Sequence, residues 1–428
     1  MPVLSEHFKA NQPSALRIAM IEFAKRGDDV KAVNTAIGNV SLAIHPAMKK
    51  RMENLTAKDS PLKDGVVGYT VTVGTDECRK AFLNVISASG FETKDLHTQI
   101  TDGASAAMEL IIVGCCGSAG STTNPLLLID ASYANYKLMA DRTGRRVVSI
   151  KRALQDDGTF TLPDMKEIKE TIKQHKPSAM VVIPYDNPTG HFYNQEKMEE
   201  LAKICVDNDM WMISDEAYRE LHYTGEPASS IWGITEDKVP GITGRRISLE
   251  TSSKVWNACG LRIGAIVTDN HEFSEKCIAE NTANLSPNAI GQYVFSALAH
   301  EKAEDLQVWF ASLRNYYKKT MVEVSEELKQ LMPDLIVSKP DASIYSVIDV
   351  KKINPDFNAK EFVLYCAKTG NINGETLLVA PMEGFYNVEE GEDNPGRTQM
   401  RIAYVAPPTE MKKVPNLFFK LLEAYSQK

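Results

Sequence analysis

The sequence predicts an α/β fold: a mainly parallel, seven-stranded sheet with helices on both faces, plus a smaller α+β domain. Three observations carry that expectation. From Gln99 onward, short β-rich runs alternate with stretches whose apolar residues recur at helical spacing, the pattern of βαβ units. After Asn288 the alternation gives way to a long helical region reaching about Met332. Beyond it, two strand-like runs and a closing helix read as α+β.

Taken in order, Ser14 to Arg26 reads as an amphipathic helix, with Leu16, Ile18, Met20, Ile21, Phe23 and Ala24 on the apolar face. Lys31 to Ile37 then runs extended into Gly38. Tyr69 sits in a loop bounded by Gly65 and Gly74, ahead of a helical pattern from Asp76. The runs expected as strands are Gln99–Thr101, Leu126–Ile129, Arg146–Ile150, Met180–Ile183, Trp211–Ile213, Ile247–Leu249 and Ala265–Thr268. Between them, Met165, Ile168 and Ile172, then Met198, Leu201 and Cys205, recur as helices require. Asp102-Gly103-Ala104-Ser105 closes the first strand and opens a helix over Ala106 to Val113. The long helical region is punctuated near His300 to Asp305. Ile344–Ile348 and Gln399–Tyr404 are the later strands, and a final helix starts at Pro415. The expected division is an arm at 1–60, a large domain at 61–305 and a small one at 306–428. There is no internal repeat.

Composition narrows the partners. With 428 residues, 43% of them hydrophobic, the chain can bury a sizeable core. Its formal charge of −8 gives no electrostatic case for nucleic acid or anionic membrane, which leaves a small molecule as the expected partner. No apolar run approaches the roughly 20 residues needed to span a bilayer, and the first residues lack a signal peptide's apolar core. The 7 cysteines form neither a C-x-x-C pair nor a metal-ligand set, and their odd count argues against a disulfide framework. Reduced thiols, a cytoplasmic location and no metal site are expected.

Chemistry concentrates in Leu249-Glu-Thr-Ser-Ser-Lys254-Val-Trp-Asn-Ala-Cys-Gly260-Leu-Arg262-Ile-Gly264. A free lysine amine condenses with an aldehyde to a Schiff base, and pyridoxal phosphate is the usual aldehyde. The hydroxyls of Thr251, Ser252 and Ser253 and the guanidinium of Arg262 suit its phosphate, because charge-assisted hydrogen bonds are the strong ones. Amides at the helix start after Gly103, with Ala104 and the Ser105 hydroxyl, suit an anion as well. Asp215 ends an almost wholly apolar strand, where an unpaired charge is costly and needs a partner.

These residues, with Gly38, Tyr69, Tyr133, Asn187-Pro188-Thr189-Gly190, Asp215-Glu216-Ala217-Tyr218 and Arg401 in the same order, resemble the class I/II aminotransferases of fold type I over about Val33 to Arg401. The resemblance implies pyridoxal 5'-phosphate as cofactor and a role for each matching position. Lys254 would hold the cofactor and shuttle a proton. Asp215 would pair with the pyridine nitrogen, Tyr133 would stack on the ring, and Asn187 and Tyr218 would bind the phenolic oxygen. Gly103, Ala104, Ser105, Arg262 and one of Thr251 and Ser252 would take the phosphate. Gly38, Asn187 and Arg401 would bind substrate, and Tyr69 would cross a homodimer interface to the neighbour's phosphate. The arm and the C-terminal segment would form one small domain.

Alternatives and departures accompany this. Tyr136 rivals Tyr133, and Arg397 rivals Arg401, which is preferred for its strand context. Asp186 stands where the family has Asn or a small residue, and it either alters substrate preference or faces solvent. Met382 follows Pro381 where relatives carry glycine, and no second arginine stands out for a dicarboxylate side chain. The expected reaction moves an amino group between an L-amino acid and a 2-oxo acid by a ping-pong route. A C–S lyase or cyclopropane-forming synthase uses the same scaffold; a pyridoxal phosphate-binding regulator is disfavoured by the acidic charge and the short segment before the matched region.

Overall fold

The computed structural model describes residues 2–10, 13–162, 165–389 and 391–427. All seven expected runs form strands, and all join one sheet. They are β1 (His97–Thr101), β2 (Leu126–Asp130), β3 (Val147–Lys151), β4 (Ala179–Val182), β5 (Trp211–Asp215), β6 (Arg246–Thr251) and β7 (Gly264–Thr268). The order is β1-β7-β6-β5-β4-β2-β3, parallel except for β7, which runs antiparallel to both neighbours. Every residue of β2, β4 and β7 is buried. Since successive side chains point to opposite faces, both faces of the sheet are covered.

Helix Gly103–Cys115 begins immediately after β1, three residues earlier than the sequence suggests. Gly264, at the start of β7, permits its approach: a Cβ there would lie 2.6 Å from the Ala104 nitrogen. The long helical region resolves into Ala289–Phe295, a 3-10 segment at Ser296–His300 and the helix Ala303–Leu331.

A second sheet contains β8 (Ile336–Val337), β9 (Tyr345–Asp349), β10 (Ala380–Pro381) and β11 (Gln399–Ala403), ordered β8-β9-β11-β10 and antiparallel throughout. The chain's first part joins this region. Lys31–Asn34 pairs in parallel with Glu375–Leu378, and the Ala403 amide donates to the Thr35 carbonyl at 2.8 Å. The Ala15–Ala24 helix, capped by Ser14, is tethered beyond its end by Arg26, which donates to the Gly370 carbonyl at 2.9 Å. Residues 36–38 are thereby carried to the end of β11, beside Arg401. Among the described residues, no helix is long and apolar enough to cross a membrane, and no group of His, Cys, Asp or Glu is placed to hold a metal ion.

Candidate active site

Strand ends from the large sheet, the helix start at Gly103, the Ala15–Ala24 helix and the second sheet all border one cavity of about 360 Å³. Ligands of open α/β sheets gather at the carboxyl ends of strands, and this cavity lies there. It is lined by Gly38, Ala104, Ser105, Tyr133, Asn187, Asp215, Tyr218, Thr251, Lys254, Arg262 and Arg401. Residues as far apart in sequence as 38 and 401 are therefore brought together. Two surface clefts elsewhere, of about 420 and 510 Å³, contain none of them.

Asp215 ends β5 and is buried. Its carboxylate accepts hydrogen bonds from the Tyr136 hydroxyl and, at 3.0 Å, from the Ala217 amide, but no cation of the chain pairs with it among the described residues. Burial pushes its carboxyl up to about 6, against the lowering effect of those two bonds. The turn that carries it is fixed from behind by buried Arg219, whose guanidinium lies 2.5 Å from Glu250 and 3.5 Å from Glu216.

Lys254 is half-buried, and its Nζ donates to the Gly38 carbonyl at 2.5 Å. Gly38 is a glycine for a steric reason: a Cβ there would overlap the Tyr345 hydroxyl and come within 3.0 Å of Lys254 Nζ. Tyr218 donates to Tyr345 Oη at 3.2 Å and accepts from Asn187 Nδ2 at 3.2 Å. Arg401 is buried, donates to Asn187 Oδ1 at 2.9 Å and to the Ala36 carbonyl at 2.7 Å, and lies over the Tyr345 ring at 4.3 Å. Its Nε is buried without a partner among the described residues. Arg397, the rival arginine, instead donates to the Asp356 carbonyl at 2.9 Å and lines no part of the cavity.

At the other end, Thr251 and Ser253 face the cavity and share a hydrogen bond of 2.9 Å. Ser252 does not: it is fully buried, its hydroxyl aimed at the Ile263 and Ala258 carbonyls at 3.1 and 3.3 Å. Gly103 also stays off the lining. It has φ +81°, and a Cβ on it would collide with the Arg262 guanidinium. The helix start beside it has no side-chain cap, because Asp102 accepts from the Asn288 amide at 2.8 Å instead. Tyr69 lies outside the cavity of its own chain and is 83% exposed.

Asp186 does not face solvent, which corrects that sequence expectation, and it does not line the cavity. It is buried against Arg152 at 2.9 Å and accepts from the Thr189 hydroxyl and amide. Four participants escaped the sequence reading: Tyr136 as a partner of Asp215, Tyr345, Arg152, and Arg17, which lines the cavity mouth. Tyr136 and Tyr345 stand 79 and 127 positions from the groups they bond, so no local pattern reveals them.

The family model described as "Aminotransferase class I and II" matches residues 31–409. A probable aspartate/prephenate aminotransferase of Aquifex aeolicus is 25% identical over 74% of this chain and 78% of its own. The cystathionine beta-lyase PatB of Bacillus subtilis is 23% identical over 72% of this chain and 73% of its own. The solved structure of N-succinyldiaminopimelate aminotransferase from Mycobacterium tuberculosis superposes with a TM-score of 0.81, at 18% identity, over 98% of this chain and 100% of that one. The family match spans nearly the whole chain, and with it this protein belongs to the class I and II aminotransferases, pyridoxal 5'-phosphate-dependent enzymes of fold type I.

Proposed function

We propose that this chain moves an amino group from an L-amino acid to a 2-oxo acid in the cavity around Lys254. The observation that carries the reading is Asp215, a buried carboxylate without a cation among the described residues, sharing one cavity with Lys254 and Arg401. The residues present fit pyridoxal 5'-phosphate. Asp215 suits a protonated ring nitrogen, and the Tyr133 ring suits a stacked heterocycle. The uncapped amides at Ala104 and Ser105, the Thr251 and Ser253 hydroxyls and Arg262 suit a phosphate. Thr251, not Ser252, is the hydroxyl we assign to it.

When bound, pyridoxal phosphate supplies an electron-withdrawing ring that accepts the electron pair released at the substrate's Cα. Arg401 holds the substrate α-carboxylate through its planar fork, with its bonds to Asn187 and the Ala36 carbonyl fixing its plane. Lys254 takes the proton from Cα and returns one as general base and acid. Gly38, held by Lys254 at its carbonyl, leaves room for that movement. Tyr218 and Asn187, hydrogen-bonded to each other, would hold the cofactor's phenolic oxygen.

A homodimer is part of the proposal. Val66, Val67, Tyr69 and Val71 are 69, 57, 83 and 62% exposed, an apolar strip that suits a second copy of the chain, and Tyr69 is our candidate to reach the partner's phosphate. The 7 cysteines are free thiols, 5 of them buried, which supports a reducing, cytoplasmic setting.

The test is an absorbance scan of protein loaded with pyridoxal phosphate, with amino acids added singly and Lys254→Ala as control. Loss of the visible band with release of one equivalent of a 2-oxo acid is expected for one donor, and for the wild type alone. A persistent band with accumulating pyruvate and ammonia would make the enzyme a lyase. No band after loading would sink the reading altogether.

A further inference from the structure

Among the described residues, Cys259 is the cysteine that lines the cavity, and it does so next to Lys254. Burial pushes up the thiols of Cys78, Cys115, Cys116, Cys205, Cys277 and Cys366 and withholds the thiolate that oxidants attack. Cys259 is only half-buried, in the wall of the cavity.

The chain between Lys254 and Cys259 doubles back and brings the two together. Asn257 takes a left-handed φ of +54°, its amide donates to the Lys254 carbonyl at 3.2 Å, and the Ala258 amide donates to the Ser252 carbonyl at 3.2 Å. Cys259 Sγ then lies 3.8 Å from Lys254 Nζ, and both donate to the Gly38 carbonyl, the amine at 2.5 Å and the thiol at 3.8 Å. The Ser253 carbonyl, at 2.9 Å, holds the thiol from the other side. Tyr317, fully buried on the helix Ala303–Leu331, has a hydroxyl with no hydrogen-bond partner among the described residues. Burial first, then the neighbouring Tyr316, Tyr345 and Cys259, push its phenol up. A buried donor of this kind favours an acceptor added beside it, and an oxygen on the Cys259 sulfur is one.

We propose that Cys259 and Lys254 are a redox-sensitive pair, joined by hydrogen peroxide into a sulfur–nitrogen crosslink that closes the cavity to the cofactor. Peroxide gives one oxygen to the thiol: the sulfur is oxidised by two electrons to a sulfenic acid, and the peroxide is reduced to water. The Lys254 amine then attacks that sulfur. The N–S bond forms as the S–O bond breaks, and the hydroxide leaves as water with the proton shed by the nitrogen. Thiol, amine and peroxide thus give a sulfenamide and two waters. The lysine's flexible four-carbon stem spans the gap. A dithiol reductant reverses the step: the N–S bond breaks, amine and thiol return, and the reductant becomes a disulfide. Protection of the pair by bound pyridoxal phosphate rests on the proposed function, which assigns the Lys254 amine to the cofactor; the crosslink itself does not.

The test treats wild type and Cys259→Ser with hydrogen peroxide, each cofactor-free and cofactor-loaded, and reads intact mass, peptide maps and uptake of added pyridoxal phosphate by absorbance. Cofactor-free wild type is expected to lose two hydrogens, about 2 Da, with Cys259 and Lys254 joined in the peptide map. Its cofactor uptake should fall in proportion to the joined fraction and return after dithiothreitol. Cys259→Ser should show no such link and the same uptake before and after peroxide. An oxygen adduct on Cys259 beside a free Lys254 amine would overturn the proposal, as would an unchanged mass, a disulfide elsewhere with Cys259 still reduced, or a link that leaves uptake intact. A link that forms equally in loaded protein would strike the assignment of Lys254 to the cofactor and leave the crosslink standing.

Discussion

Asp186 and Asp215 stand just past or at the carboxyl ends of neighbouring strands, β4 and β5, and both are buried, yet the chain satisfies them in opposite ways. Asp186 meets the equally buried guanidinium of Arg152 at 2.9 Å and two groups of Thr189. Among the described residues, Asp215 receives two hydrogen bonds and no cation. Burial raises both carboxyls, but only at Asp186 does a neighbouring guanidinium pull the value back. A buried charge matched within its own chain is architecture; one left unmatched beside a cavity waits for a charge from elsewhere.

The largest effect expected from this contrast is on the matched side. Arg152→Met strands Asp186 and removes donors from the Ala131 and Ile129 carbonyls and the Tyr193 hydroxyl, and should cost about 3–5 kcal/mol in urea unfolding of the cofactor-free protein. Adding Asp186→Leu should recover much of it. A single-variant loss under about 1 kcal/mol would break the comparison.

On the unmatched side, Asp215→Asn should reduce kcat/KM about a thousandfold while leaving the cofactor-free protein as stable or more so. Steady-state kinetics and urea unfolding, run together, separate the two consequences. A variant that lost stability instead would show Asp215 to be structural, like Asp186.

The pH dependence sharpens the point. In the cofactor-free protein the Asp215 carboxyl binds its proton more tightly folded, at about 6, than unfolded, at about 3.8. Its contribution to stability is therefore complete below about pH 4 and is lost as pH rises through 6. The difference between wild type and Asp215→Asn should change by roughly 3 kcal/mol across that window. Loading with pyridoxal phosphate should abolish or reverse the slope, because the ring nitrogen favours the charged carboxylate. A slope indifferent to loading would place the cofactor away from Asp215.

The smallest effect is expected at Arg397. Held by the Asp356 backbone outside the cavity, Arg397→Ala should change stability by under about 0.5 kcal/mol and kcat/KM by under about twofold. A large kinetic loss there would reopen the choice between it and Arg401.

How far these contrasts could be read from sequence depends on chain distance. All seven strands of the large sheet were legible, because continuous apolar runs between turn residues report burial locally. The reversal of β7 was not, since its run, Gly264–Thr268, reads like its parallel neighbours. Lys254, Asp215 and Arg401 stood out because each sits in a characteristic local setting. Arg152 and Asp186 are 34 positions apart and reveal their pairing only in space, which is why the sequence allowed a solvent-facing Asp186. Arg17 was hidden differently. It belongs to an amphipathic helix whose polar residues read as a solvent face, although part of that face looks into the cavity.

The cavity's assembly from both ends of the chain has a consequence for synthesis. Thr251, Lys254 and Arg262 leave the ribosome together, with Ser105 and Asp215 already made, while Arg401 lies 147 positions after Lys254. At about 5–20 residues per second that interval is roughly 7–30 s. Throughout it the nascent chain carries the groups assigned to the cofactor and lacks the arginine assigned to the substrate. A chain interrupted in this span would keep Lys254 and lack Arg401.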